Sequence, residues 1–330
     1  MNGQLRRAPG ARYRRDMSTR ITTPRAFPLA TVCAAVLAAC GEAALPPPDS
    51  SCPNTCSASQ MIIGCDQRQT RPATVDSTEI EPWRFVGRFD GGSQCSGTLI
   101  DERFVLTAAH CMIGQGGARL GFAPAQQAEN ELARPLGTYG VRRVFVPSVF
   151  SSNATEEGAA YDYAVAELHE PVRDVEPADW GHVPWRTLRG KPVYTAGYPA
   201  AQPDGGVLGR AWMGGGEYYH AAQPFRWLDG GESGLLYSRL DGTGGQSGSP
   251  AYTVMTPSQH DGEGIARRVS GVLIGSPVAA CQADRNWVAR LTPGAVEHIE
   301  NVIDPGVIDF WWDVIDIPFS PTTGAGESWP

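Results

Sequence analysis

The chain has no apolar run of the ~20 residues that a permanent transmembrane helix needs; its one continuous apolar stretch, Ala26 to Ala39, falls short. A helical integral membrane protein is thereby excluded. It has no internal repeat with a period of 20 to 50 residues, which excludes repeat architectures. Positive charge is scarce: 27 Lys and Arg stand against 35 Asp and Glu, a net charge of −8. Without residues 1–40, which hold seven arginines and one aspartate, 20 basic residues face 34 acidic ones and the net charge is −14. Nucleic acid and anionic membrane surfaces are poor partners for such a chain, because both are bound through positive charge. The acidic field would attract cationic substrates or simply keep the surface solvated. Gly214-Gly215-Gly216 lacks the lysine and helix of a phosphate cradle and reads as a loop. Cys52 and Cys56, with three residues between them in the spacing Cys-x3-Cys, have Cys65 but no histidine nearby, a weak zinc set. No metal and no organic cofactor is expected.

What the chain does hold is turn-forming residues and a glycine-rich serine motif. Thirty-nine glycines and 27 prolines among 330 residues, with 42% hydrophobic and 19% charged, suit an all-β protein with many turns. In Gly244-Gly245-Gln246-Ser247-Gly248-Ser249-Pro250, small residues crowd both sides of one serine. A hydroxyl that attacks a carbonyl needs backbone N–H groups aimed at the same point, and glycine permits the close approach. Ser247 is therefore a candidate nucleophile. A serine at its own pKa is weak, so it needs a general base held by an orienting group. His110 ends the apolar run Phe104-Val105-Leu106-Thr107-Ala108-Ala109, which reads as a buried strand and a small-residue turn. Asp162 precedes the alternating Tyr163-Ala164-Val165-Ala166-Glu167-Leu168, at the mouth of another strand. Taken singly, such a His is usually a core or surface residue and such an Asp a cap.

Cys95-Ser96-Gly97-Thr98-Leu99-Ile100, Thr107-Ala108-Ala109-His110-Cys111, Asp162-Tyr163-Ala164-Val165 and Gly245-Gln246-Ser247-Gly248-Ser249-Pro250 follow one another in the order of the chymotrypsin-fold serine proteases, which the chain resembles over roughly residues 75–303. The last motif, with Thr195-Ala196-Gly197-Tyr198-Pro199, is similar to the bacterial branch that includes the glutamyl endopeptidases. The resemblance implies two six-stranded antiparallel β-barrels with a C-terminal helix, barrel one at about 75–170, barrel two at about 190–292 and the helix at about 293–303. It implies a His110, Asp162, Ser247 triad acting through an acyl-enzyme, an oxyanion hole from the N–H groups of Gly245 and Ser247, and a Cys95–Cys111 disulfide. The expected partner is a protein or peptide substrate, and the chain is expected to be a monomer.

Two positions depart from relatives. Gln246 stands where trypsin-like zymogens carry an aspartate that pairs with a newly cut N-terminus, so activation by that ion pair is not expected and processing near Arg68 or Arg71 would act another way. Leu273, in Ser270-Gly271-Val272-Leu273-Ile274-Gly275-Ser276, stands where glutamyl endopeptidases place a histidine that binds the substrate carboxylate. A buried carboxylate without a polar partner is costly, which argues against glutamate specificity. By the resemblance, Leu273, Gly275 and Ser276 line the substrate pocket, and Asp241, six residues before Ser247, takes the position that binds Lys or Arg in trypsin-like enzymes, although bacterial relatives with other preferences carry aspartate there too.

The flanks suggest export. Residues 1–16 hold five arginines and no apolar run, and either Met1 or Met17 is the start. Arg20 and Arg25 precede an apolar run that ends in Leu37-Ala38-Ala39-Cys40-Gly41, a secretory signal with a lipobox-like end at which Cys40 would be lipidated; cleavage at nearby alanines is the plainer alternative. Localisation is then the cell envelope, as a lipoprotein, or outside the cell. Residues 41–74 read as a Pro-, Ser- and Cys-rich tether. Setting aside Cys33 and Cys40, six of eight cysteines remain for disulfides. Cys52, Cys56, Cys65 and Cys281 allow three pairings, and we favour Cys281 joined to one tether cysteine. Thr292 and Pro293 start the helix, with Val296, Ile299, Val302 and Ile303 at helical spacing. Residues 304–330 extend beyond the family's usual end, and Phe310-Trp311-Trp312 reads as covering a groove on the barrel. A rival to the protease is an inactive or slow homologue that binds peptides without turnover; it would gain weight from a missing triad residue. An esterase on the same triad would show Gly-x-Ser-x-Gly between a strand and a helix, whereas another β segment follows Ser249.

Overall fold

The computed structural model describes residues 55–57, 60–63, 66, 68–70, 82–92, 94–114, 118–127, 134–150, 155–200, 212–221, 232–259, 266–275, 285–304 and 311–324. The expected signal with Cys40, and Cys52, Cys65, Ser276 and Cys281, lie outside the described residues.

Three short strands come first: β1 (Thr55–Ser57), β2 (Gln60–Ile62) and β3 (Gln69–Thr70). Barrel one follows, with β4 (Val86–Asp90), β5 (Ser96–Asp101), β6 (Phe104–Thr107), β7 (Gly121–Pro124), β8 (Tyr139–Pro147), the short helix α1 (Glu156–Ala160) and β9 (Ala164–Leu168). Its antiparallel order is β8-β7-β4-β5-β6-β9, and pairing of β8 with β9 closes the ring. On its strands Leu99, Val105, Leu106, Phe122, Val144, Phe145 and Val165 are all but inaccessible to solvent, with Phe145 on the outer face beneath Trp312. Burying each such side chain contributes about 1.5–3 kcal/mol. The outward Arg142 and Arg143 of β8 both pair with Glu167 of β9, Arg142 at 3.1 Å, so the closing seam is charged on its outer face.

After the single-turn helix α2 (Trp185–Leu188) comes barrel two: β10 (Pro192–Gly197), β11 (Trp212–Ala221), β12 (Leu235–Ser238), β13 (Gly242–Thr243), β14 (Pro250–Met255), β15 (Ala266–Gly275) and β16 (Asn286–Arg290). Six of these run in the order β10-β14-β15-β16-β12-β11, with β10 also pairing β11. Val193, Tyr218, Leu236, Leu240, Ala251, Leu273 and Val288 pack inside. Helix α3 (Pro293–Ile303) then caps on Thr292, whose Oγ1 accepts the Ala295 N–H at 3.2 Å, and buries Ala295, Ile299 and Val302. This is an all-β double barrel of the chymotrypsin type with a C-terminal helix.

The two flanks differ from a tether and a simple extension. Within 41–74, β1 pairs β2 and β2 pairs β13 in a separate three-stranded sheet, while β3 pairs β11 and joins the sheet of barrel two. The strands are two or three residues long and largely polar, so no alternation marks them in the sequence. At the other end, β17 (Trp312–Asp316) lies antiparallel to β8, from Trp312 opposite Pro147 to Asp316 opposite Arg143. Trp311 and Trp312 are buried against barrel one and α3.

Candidate active site

His110 sits on a single 3-10 turn, Ala109–Cys111, directly after β6. The small Ala108 and Ala109 are fully buried, so the chain can turn tightly there and leave the imidazole 38% exposed. A disulfide joins Cys111 to Cys95 at the entry of β5 and pins this turn. Cys95, Cys111 and His110 stand close enough together to hold a cation, but the two sulfurs are bonded to each other and offer no thiolate.

Asp162 lies between α1 and β9, its side chain 10% exposed. One oxygen, Oδ2, is 2.7 Å from His110 Nδ1, and the other, Oδ1, accepts the His110 backbone N–H at 2.8 Å. Two donors from one residue hold the ring in a single orientation, with Nδ1 carrying the proton toward the carboxylate and Nε2 left to face outward. Burial alone would lower the His110 pKa; the hydrogen bond to Asp162 and its negative charge outweigh burial, and the pKa is raised above 6.5.

Ser247 is half-buried on the loop from β13 to β14. Its carbonyl accepts the Ser96 N–H at 2.8 Å, and Ser96 is the neighbour of the disulfide-bonded Cys95. Two consecutive links therefore connect the Ser247 loop to the histidine turn. The Ser96 hydroxyl donates to the Gly245 carbonyl at 2.8 Å and accepts the Tyr198 N–H at 2.9 Å. The Gly244 carbonyl accepts from Ala200 N at 2.7 Å, and the Gln246 carbonyl from Ser249 N at 3.0 Å. In a planar trans peptide the N–H points opposite to the C=O. Fixing those two carbonyls therefore fixes the directions of the Gly245 and Ser247 N–H groups. Gly245 (φ +93°) and Gly248 (φ +86°) are in the left-handed region, and a Cβ on Gly248 would lie 2.0 Å from the Ser96 carbonyl oxygen. Only glycine fits there.

A trypsin-like peptidase domain model matches residues 95–255. The chain carries a trypsin-like peptidase domain of the chymotrypsin fold. Serine protease 23 from Bos taurus is 28% identical over 60% of this chain and 54% of its own length, and the human protein is 27% identical over 60% and 53%. Human Kallikrein-12 is 34% identical over 34% of this chain and 44% of its own. The chain thus spans about half the length of the Serine protease 23 sequences it matches. Among solved structures, a Glu endopeptidase in complex with MPD superposes with a TM-score of 0.54 at 21% identity, covering 73% of this chain and 98% of the other.

The residues expected to line the substrate pocket differ in depth. Leu273 is 2% exposed in the core of barrel two, and its carbonyl accepts the Gly248 N–H at 2.8 Å. Gly275 is half-buried with open space where a Cβ would stand. Asp241 is 5% exposed, and its Oδ1 accepts the Ile63 N–H at 2.8 Å. Two residues emerge in roles that the sequence did not show: Ser96, quoted only as part of a motif, and Arg68, named only as a place near which processing could occur. Ser96 had one visible signal, a small polar residue inside an apolar strand. Arg68, whose Nη1 reaches Gln246, had none.

Proposed function

We propose that the chain is an exported serine endopeptidase that hydrolyses peptide bonds through His110, Asp162 and Ser247. His110 takes the Ser247 proton as the hydroxyl attacks the scissile carbonyl, then returns it to the leaving amine; Asp162 holds the tautomer and stabilises the imidazolium. Water repeats the sequence on the acyl-enzyme. The Gly245 and Ser247 N–H groups receive the oxyanion, where loss of one such donor typically costs about 10²–10³ in rate. The observation that carries this reading is the double hold of Asp162 on His110, through ring and backbone, with the Ser247 loop tied toward the histidine turn through Ser96 and the Cys95–Cys111 disulfide.

The contacts support a structural role for Asp241 rather than reception of a basic side chain, since a buried carboxylate already engaged by Ile63 has less to offer a substrate. Among the described residues no helix is long and apolar enough to cross a membrane. The proposed membrane attachment is a lipid on Cys40, and Cys40→Ala is expected to move the protein from the membrane to the soluble fraction. The test of function is cleavage of a diverse peptide library by protein lacking residues 1–40, beside Ser247→Ala. Cleavage lost in the variant supports the proposal; cleavage retained by it, or none by either, sinks it.

A further inference from the structure

We infer that the described residues 60–63, 66 and 68–70 act as a built-in strap that orders the proposed nucleophile loop, with Arg68 as a positioning residue acting through Gln246. The inference rests on the peptidase reading of that loop. Arg68 is 6% exposed although charged. Its Nε and Nη2 grip Asp66 at 2.9 and 2.7 Å, and its Nη1 donates to Thr243 Oγ1 at 2.8 Å and to Gln246 Oε1 at 2.6 Å. Asp66 neutralises the guanidinium, so burial is tolerable, and the remaining donors are aimed at the segment that leads into Ser247.

Gln246 is fully buried, and Oε1 also accepts the Thr243 N–H at 3.0 Å. Both partners are donors, so the amide oxygen must face them. The Gln246 backbone lies between the two proposed oxyanion donors, and its N–H donates to the Thr243 carbonyl at 3.0 Å. Displacing its side chain therefore displaces both donors together. The strap has three further anchors: Ile63 N on Asp241, β2 on β13 with Met61 opposite Gly242 and Gln60 opposite Thr243, and β3 on β11. The loop from 241 to 246 is thus held from one side by a single segment of the chain. A cation delivered to the residue before the nucleophile needs no newly cut N-terminus, which agrees with an amide rather than a carboxylate at 246.

The test compares Arg68→Ala, Gln246→Met and the double variant, all in protein lacking residues 1–40, with Arg68→Lys as the conservative control. Readouts are kcat and KM, the rate of fluorophosphonate labelling, and hydrogen exchange of residues 243–249 in protein shown to unfold cooperatively. Arg68→Ala is expected to lower kcat and labelling about 10- to 100-fold with KM little changed, because transition-state donors are disturbed more than ground-state binding. Exchange of 243–249 should speed up, Arg68→Lys should recover part of the loss, and the double variant should be no worse than Gln246→Met alone. Should Arg68→Ala not fold, Gln246→Met carries the same expectations. Wild-type kcat and exchange in a folded variant, or losses that simply add, overturn the inference. If the unmutated protein neither cleaves nor labels, the peptidase reading fails by itself, and the exchange comparison still decides whether the strap orders the loop.

Discussion

His110 accepts a proton only when neutral, so kcat/KM is expected to rise with pH through the His110 pKa, which Asp162 holds above 6.5. Asp162→Asn removes the charge and changes the hydrogen bond while leaving burial, the opposing cause. The acid limb should then shift to lower pH, and the maximal rate should fall by about 10⁴, both read from a pH–rate profile. The sign for stability runs the other way: protonated His110 stabilises the fold fully below pH 6.5, and that contribution is lost as pH rises through the folded value. Ser96 offers a second residue-scale test. Ser96→Ala strands the Gly245 carbonyl and the Tyr198 N–H, both buried, at about 1–3 kcal/mol, and should lower kcat more than it raises KM.

The motifs around His110, Asp162 and Ser247 were legible in the sequence because each is local: a small-residue turn, an acid before an alternating strand, glycines about a serine. Arg68 was not, because its partner Gln246 lies 178 positions away and a lone arginine in a polar stretch gives no sign of burial. The same holds for elements. Strands that alternate, such as β8, could be read from the sequence, whereas β1, β2 and β3 are too short and polar to show a period and exist only by pairing with β11 and β13. The C-terminal β17 illustrates what such late elements do. Trp311 packs edge-on to Tyr161 at 5.8 Å and Trp312 to Tyr163 at 6.1 Å, the two residues that flank Asp162. Trp312→Ala is therefore expected to cost about 3 kcal/mol of stability, the lower end for a buried Trp, and to reduce kcat as well; thermal unfolding and turnover check both. Breaking the Cys95–Cys111 bond, which closes a loop of 16 residues, should cost about 3 kcal/mol and loosen the His110 turn.

Across the whole molecule, the residues of the proposed triad come from both barrels: His110 and Asp162 from barrel one, Ser247 from barrel two. Neither barrel holds a complete site. The joint is made by Ser96, which reaches from β5 into the Ser247 loop, and by the Gly248 backbone pressed against Ser96 and Thr107. The central claim is that this joint leaves Ser247 activated by His110. The most direct measurement is reaction of the folded protein lacking residues 1–40 with a fluorophosphonate, with the modified residue located by mass spectrometry. Labelling at Ser247 alone, abolished in His110→Ala, is the expected result. A folded protein that takes no label, or takes it equally well without His110, would contradict it.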